Sequence, residues 1–154
     1  MRKGDIMDID ETDKKIINAL IEDSRLSYRQ IAKKAKISVV TVMNRVKKLE
    51  KEGIIKKYTA LVDYEKLNYG FFVMTSIRIS KGKELEVEQA LTKYENVFAI
   101  YDVTGDFDIE VIAKFKNRVA LDSFVKKIQT FEYVERLHTR LILNTIKEEP
   151  IRIS

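Results

Sequence analysis

Two sets of side chains in this sequence have types and spacings that could do chemistry, and they carry opposite charge. The first lies in residues 38–48, SVVTVMNRVKK. Asparagine can bond adenine in two places and arginine can do the same to guanine, so Asn44 and Arg45 are candidate base readers. Val40 and Thr41 offer methyl contacts for a thymine. Lys48 is placed to meet a phosphate, with Ser38 and Val39 at the helix start. Ser27, Tyr28 and Arg29 open another predicted helix, and free amides at a helix start can bond phosphate.

The second set is Tyr101, Asp102, Thr104, Gly105, Asp106, Phe107 and Asp108. A glycine turn exposes amide donors that suit an α-carboxylate. Asp106 or Asp108 could then take an ammonium group. Glu110 adds further negative charge, so a cationic or polar amino acid (lysine, arginine or glutamine ahead of leucine) is the expected effector. His138, between Arg136 and Arg140 in period, is a candidate neighbour. Each feature has a blander reading. A basic helix with an apolar stripe is often only a surface helix. Acids at a turn are often only solvated, a lone strand histidine is commonly half-exposed, and Tyr101 fits a core as well as a pocket wall.

Composition narrows the classes. The chain has 154 residues, 45% of them hydrophobic, enough for one domain or two small ones. No apolar run is long enough for a membrane helix. The opening MRKGDIMDIDETD is polar and is not a signal peptide. Met7 is a plausible true start, which would leave residues 1–6 as a disordered tail. With no cysteine, thiolate metal sites and cysteine nucleophiles are excluded, and a reducing cytoplasm is the default. One histidine argues against a multi-histidine metal centre. The net charge is +5, but residues 29–57 hold ten basic side chains against Glu50 and Glu52. The remainder is therefore acidic overall, and the basic half points to a polyanion partner.

These residues need elements to hold them. Residues 10–22 read as a helix capped by Asp10, with Ile16, Ile17, Leu20 and Ile21 at helical spacing. Ser27 and Gln30 form a capping-box pattern for a second helix packed through Ile31, Ala32 and Ala35. Ser38 caps a third, whose Val42, Val46 and Leu49 fall on one stripe, and Gly53 stops it. The connection near Lys36-Ile37 is so short that the second and third helices must cross through a tight turn, as in a helix-turn-helix. Residues 54–63 read as a short strand.

From Phe71 the period changes. Strands are expected at 71–79, 97–104, 107–115 and 134–146, with helices at 85–94 and 119–129, the latter capped by Asn117. The order βαββαβ predicts an α+β chain, a (winged) helix-turn-helix followed by a ferredoxin-like unit with two helices on one face. The expected division is 1–58 for DNA binding, 59–70 as linker, 71–147 for effector binding and dimerisation, and 148–154 as a tail or partner-binding extension.

Asp10 and Asp13, Ile16-Ile17, Arg25-Leu26-Ser27, Ile31-Ala32, Ile37-Ser38, Arg45 to Glu50, Gly53-Ile54-Ile55 and Tyr58 follow one another as in the Lrp/AsnC, or feast/famine, regulators, which this sequence resembles over about residues 8–147. The segment Gly105-Asp106-Phe107-Asp108 resembles that family's effector module. The resemblance implies homodimers formed through the C-terminal sheets, often assembled to octamers. It also implies binding to double-stranded promoter DNA, commonly the protein's own, and an amino acid bound between subunits near the glycine hairpin. No cofactor, metal or membrane is implied, and no enzyme activity.

Rival readings fit less well. An RNA recognition motif shares the βαββαβ order but needs exposed aromatics in a basic third strand, and DFDIEVIAKF is acidic. Catalysis lacks a nucleophile paired with a base, a metal cluster and a phosphate loop. A DNA-packing protein of low sequence specificity remains the closest alternative.

Overall fold

The structure, a computed structural model, describes residues 8–154; the expectation for residues 1–6 lies outside them. The chain divides into two compact units. One comprises the residues up to Leu61 together with Glu148–Ser154, and the other is Val62–Lys147.

The first unit is three helices. α1 (Glu11–Glu22) starts at Asp10, whose carboxylate accepts the amides of Thr12 and Asp13 while Asp13 accepts that of Asp10. This reciprocal cap satisfies donors that a helix start leaves free. α2 (Tyr28–Ala35) has its own capping box: Ser27 accepts the Gln30 amide and Gln30 accepts that of Ser27. It ends at Lys36, in the left-handed region at φ 57°, from which Ile37 and Ser38 lead straight into α3 (Val39–Lys51). The predicted stripe is the core: Val42 and Val46 are fully buried and Leu49 nearly so, packed with Ile16, Ile31 and Ala32.

The strand expected over residues 54–63 does not form. Its β-forming residues find no neighbouring strand within the chain, and a strand without a ladder partner has nothing to hold it. Leu61 is 78% exposed there.

The second unit begins with a short 3₁₀ turn (Glu65–Leu67) and continues as β1 (Phe71–Ile79), α4 (Glu84–Leu91), β2 (Val97–Asp102), β3 (Ile109–Phe115), α5 (Arg118–Gln129) and β4 (Val134–Leu141). The sheet order is β2-β3-β1-β4, with every pair antiparallel. Alternation sorts the faces. Ile109, Val111, Ala113 and Phe115 pack with Val87, Leu91, Phe124 and Ile128 of the two helices. Glu110, Ile112 and Lys114 point to the open face. Asn117 caps α5 as expected, accepting the Ala120 amide at 2.8 Å.

Three strands are shorter than the sequence predicts. β2 ends at Asp102 rather than residue 104, where the chain bends into the Thr104-Gly105-Asp106 turn. β3 begins at Ile109 rather than residue 107, because Asp108 is occupied in closing the turn onto β1. Its amide donates to the Ile77 carbonyl at 3.0 Å, and its carboxylate accepts the Ile79 amide at 2.7 Å. β4 ends at Leu141 rather than residue 146. Ile142 makes one more bond, to the Phe72 carbonyl, and β1 then offers no further partner.

Candidate nucleic-acid interface and effector turn

α3 presents Val39, Val40, Asn44, Lys47 and Lys48 to solvent. Val40 is 62% exposed, an uncommon place for a branched apolar residue at the start of a helix that already has a complete buried stripe. Tyr28 and Arg29 are exposed at the start of α2. Ser38 and Thr41 are less available than their types imply. The Ser38 hydroxyl accepts the Thr41 amide at 3.0 Å and pairs with the Thr41 hydroxyl at 2.8 Å, leaving Thr41 half-buried. The Ser27 hydroxyl is likewise engaged with Gln30.

Arg45 requires a correction. The sequence places it among the outward base readers, but its guanidinium turns to the start of α1. Nη1 lies 2.8 Å from an Asp10 oxygen and 3.1 Å from an Asp13 oxygen. The Asp13 carboxylate is almost completely buried, so it needs a cation, and Arg45 is the one within reach. The Asp13 amide and the Arg45 charge hold the Asp10 carboxyl below the usual aspartate range. The arrangement ties α3 to α1. Helical periodicity could not reveal it, since it depends on how two helices cross. The pair of acids at Asp10 and Asp13 was the one hint in residue order.

Tyr58 is a second residue that charge and spacing missed. Its hydroxyl donates to Glu50 on α3 at 2.8 Å, and burial together with that carboxylate pushes its ionisation up to about 12. It removes one acid from competition with the lysines of α3.

The effector candidates gather at one end of the sheet, though not as one cavity. Tyr101 and Asp102 end β2, while Thr104, Gly105 and Asp106 form the exposed turn, with Gly105 at φ 119°. The Asp108 carboxylate, offered by the sequence as an ammonium ligand, is committed to the Ile79 amide. Asp102 sits beside Glu88 of α4; burial first, and then this neighbouring carboxylate, pushes the Glu88 carboxyl up. Phe107 is half-buried, 6.5 Å from the His138 ring, with the Arg136 guanidinium 5.6 Å from its ring centre. His138 is directly across from Ser76 in the ladder. A shallow depression between α5 and β4, about 340 Å³ and lined by Leu121, Val125 and Thr139 among others, contains none of the predicted residues.

Next to this turn, the open face carries a charged knot. Ser76 donates to Glu110 Oε1 at 2.5 Å, and Arg140 Nη2 reaches both the Ser76 hydroxyl (2.8 Å) and Glu110 Oε1 (3.1 Å). Among the described residues, Glu110 Oε2 is buried without a partner. No helix among the described residues is long and apolar enough to cross a membrane.

A basic helix-turn-helix joined in sequence to a ferredoxin-like unit defines a DNA-binding regulator with an attached sensing unit. Comparison with known proteins agrees. Residues 9–56 match the winged helix-turn-helix DNA-binding family and residues 72–151 match the Lrp/AsnC ligand binding domain. An HTH-type transcriptional regulator of Pyrococcus furiosus is 44% identical over 143 residues, 93% of this chain and 97% of the relative. The regulator FL11 of Pyrococcus abyssi is 38% identical over 91% of this chain and 93% of its own. Among solved structures, E. coli AsnC superposes with a TM-score of 0.87 at 26% identity, over 96% of this chain and all of that one. A Neisseria meningitidis regulator in complex with L-Met gives a TM-score of 0.84 at 28% identity, over 92% and 94%. The chain belongs to the Lrp/AsnC family. It is a helix-turn-helix transcriptional regulator with a ligand-binding domain, and not an enzyme.

Proposed function

We propose that this protein reads promoter DNA through the exposed face of α3, with its own promoter among the targets. Val39, Val40 and Asn44 meet base edges, while Lys48, Arg29 and the start of α2 around Ser27 and Tyr28 meet phosphates. The observation that carries this reading is Val40, an exposed branched side chain beside an exposed asparagine on the most basic stretch of the chain. Arg45 acts from behind by fixing the helix. Ser38 and Thr41 shape its first turn. The test is fluorescence anisotropy on DNA from upstream of the gene against a scrambled duplex across a salt series. A preference that survives rising salt supports base reading. Equal, steeply salt-sensitive binding to both would favour a packing protein. Val40→Ala should weaken binding to the preferred duplex more than to the scrambled one.

The effector in this proposal is a free amino acid, a cationic or polar one such as lysine, arginine or glutamine rather than leucine. It binds at the Thr104-Gly105-Asp106 turn, with Tyr101, Asp102, Phe107 and His138 nearby. Asp106 is the carboxylate for its ammonium group, since Asp108 is already engaged. One chain leaves this turn open on its outer side, which favours a site completed by another copy. The assembly is a cytoplasmic homodimer built on the open sheet face, extending to an octamer. The L-Met complex of the Neisseria regulator supports an amino acid as the ligand class. Calorimetry against lysine, arginine, glutamine, leucine and methionine, with Asp106→Asn as control, tests it. Leucine binding without binding of the polar amino acids would overturn the choice of effector.

A further inference from the structure

The segment Glu148–Ser154 follows the sheet unit in sequence, yet it is compact with the helical unit. Its grip is specific. The side-chain amide of Asn18, on α1, bonds one residue through both its atoms: Nδ2 donates to the Ile153 carbonyl and Oδ1 accepts the Ile153 amide, each at 2.8 Å. An asparagine used in this way mimics the edge of a strand and captures an extended backbone. The Ile153 side chain packs against the core of the three helices. Glu22, one turn beyond Asn18, is paired with Lys34 at 2.6 Å, and that pairing first, with the charge of Arg152 as a lesser contribution, holds its carboxyl below the usual glutamate range. The face of α1 thus holds the extended backbone at Ile153 through Asn18 and its side chain through the helical core.

We infer that this face of α1 is a docking site for the chain's own segment Glu148–Ser154, and that the docked segment is a strap fastening the DNA-binding unit a second time to the ligand-binding unit. The helical unit leaves for the sheet unit after Leu61 and receives the chain again at Glu148, so two covalent connections run between them. Only the eleven residues 142–152 separate the end of β4 from Ile153, and so short a tether gives the strap an effective concentration on the order of millimolar. A modest contact then suffices to keep it closed. A ligand acting on the sheet unit has a second route to the DNA-binding helices, in addition to the segment that follows Leu61.

The absence of cysteine makes the test clean. Glu22→Cys with Arg152→Cys leaves Asn18 and Ile153 untouched, and a short bis-maleimide should join the two within one chain. Products linked between chains would overturn the assignment, since the strap of another copy would then occupy the face. Absence of any link would overturn the docking itself. Hydrogen exchange on the full chain gives an independent readout. Ile153→Asp and Asn18→Ala should each speed exchange of the α1 amides by about tenfold while leaving β1 and β3 unchanged. Exchange in α1 equal to that of the parent chain would overturn the inference.

Discussion

Asp13 and Glu110 are both carboxylates drawn into the protein, and each meets an arginine, yet they end differently. Asp13 takes the Asp10 amide and the Arg45 guanidinium inside one unit. Glu110 meets Ser76 and Arg140 through one oxygen and keeps the other buried and, among the described residues, unpartnered. A buried polar atom left unpaired is costly, so the first arrangement belongs to a unit complete in itself. The second leaves one oxygen on the open face of the sheet unmet among the described residues. The same difference separates the two candidate sites. The α3 surface is finished within one chain, whereas the glycine turn is open on one side.

The comparison can be broken most forcefully at Arg45. Arg45→Ala leaves Asp13 buried without its cation and should cost about 2 kcal/mol, a value discounted because the guanidinium is one-third exposed. Thermal unfolding reads the loss. At a temperature where the variant is still folded, its preference for specific over scrambled DNA should persist. Selective loss of that preference would return Arg45 to the base readers.

Glu110→Gln probes the other member. Where a second copy supplies the missing donor, the amide should weaken self-association by roughly tenfold. Sedimentation equilibrium gives the constant. Unchanged association with a higher melting temperature would show that Oε2 is simply left open.

A smaller effect is expected at Lys36, which holds a left-handed conformation in the tight turn. Lys36→Gly relieves that strain but loosens the unfolded chain, for a net gain of about 0.5 kcal/mol. A loss of stability by denaturant titration would mean that the lysine side chain matters to the turn.

The smallest shift concerns pH, and its sign differs between the units. Asp10 is depressed, so its contribution is present above the ordinary aspartate range and disappears as pH falls through its lowered value. Glu88 is raised, so its contribution is present below the ordinary glutamate range and disappears as pH rises through its raised value. Acidification should therefore loosen the start of α1 while tightening the corner of α4 and β2. Amide exchange followed against pH resolves the two, and Glu88→Gln should abolish the response at the corner alone.

Much of the architecture was legible in residue order. The stripe Val42, Val46 and Leu49, the caps at Asp10, Ser27, Ser38 and Asn117, and the alternation of Ile109, Val111, Ala113 and Phe115 are local patterns. Local patterns survive into the fold because each is a face that must be buried or a donor that must be paired. Chain order alone likewise carried the βαββαβ arrangement and the resemblance to the family. Tertiary structure decided what depends on partners distant in sequence. It turned Arg45 from the groove face onto Asp10 and Asp13, committed Asp108 to the Ile79 amide, denied residues 54–63 a ladder, and folded Ile153 back onto Asn18. For Arg45, Asp108 and Ile153 a charged or polar group was claimed by a neighbour from another element, and for residues 54–63 the neighbour was missing; periodicity holds no record of how elements cross.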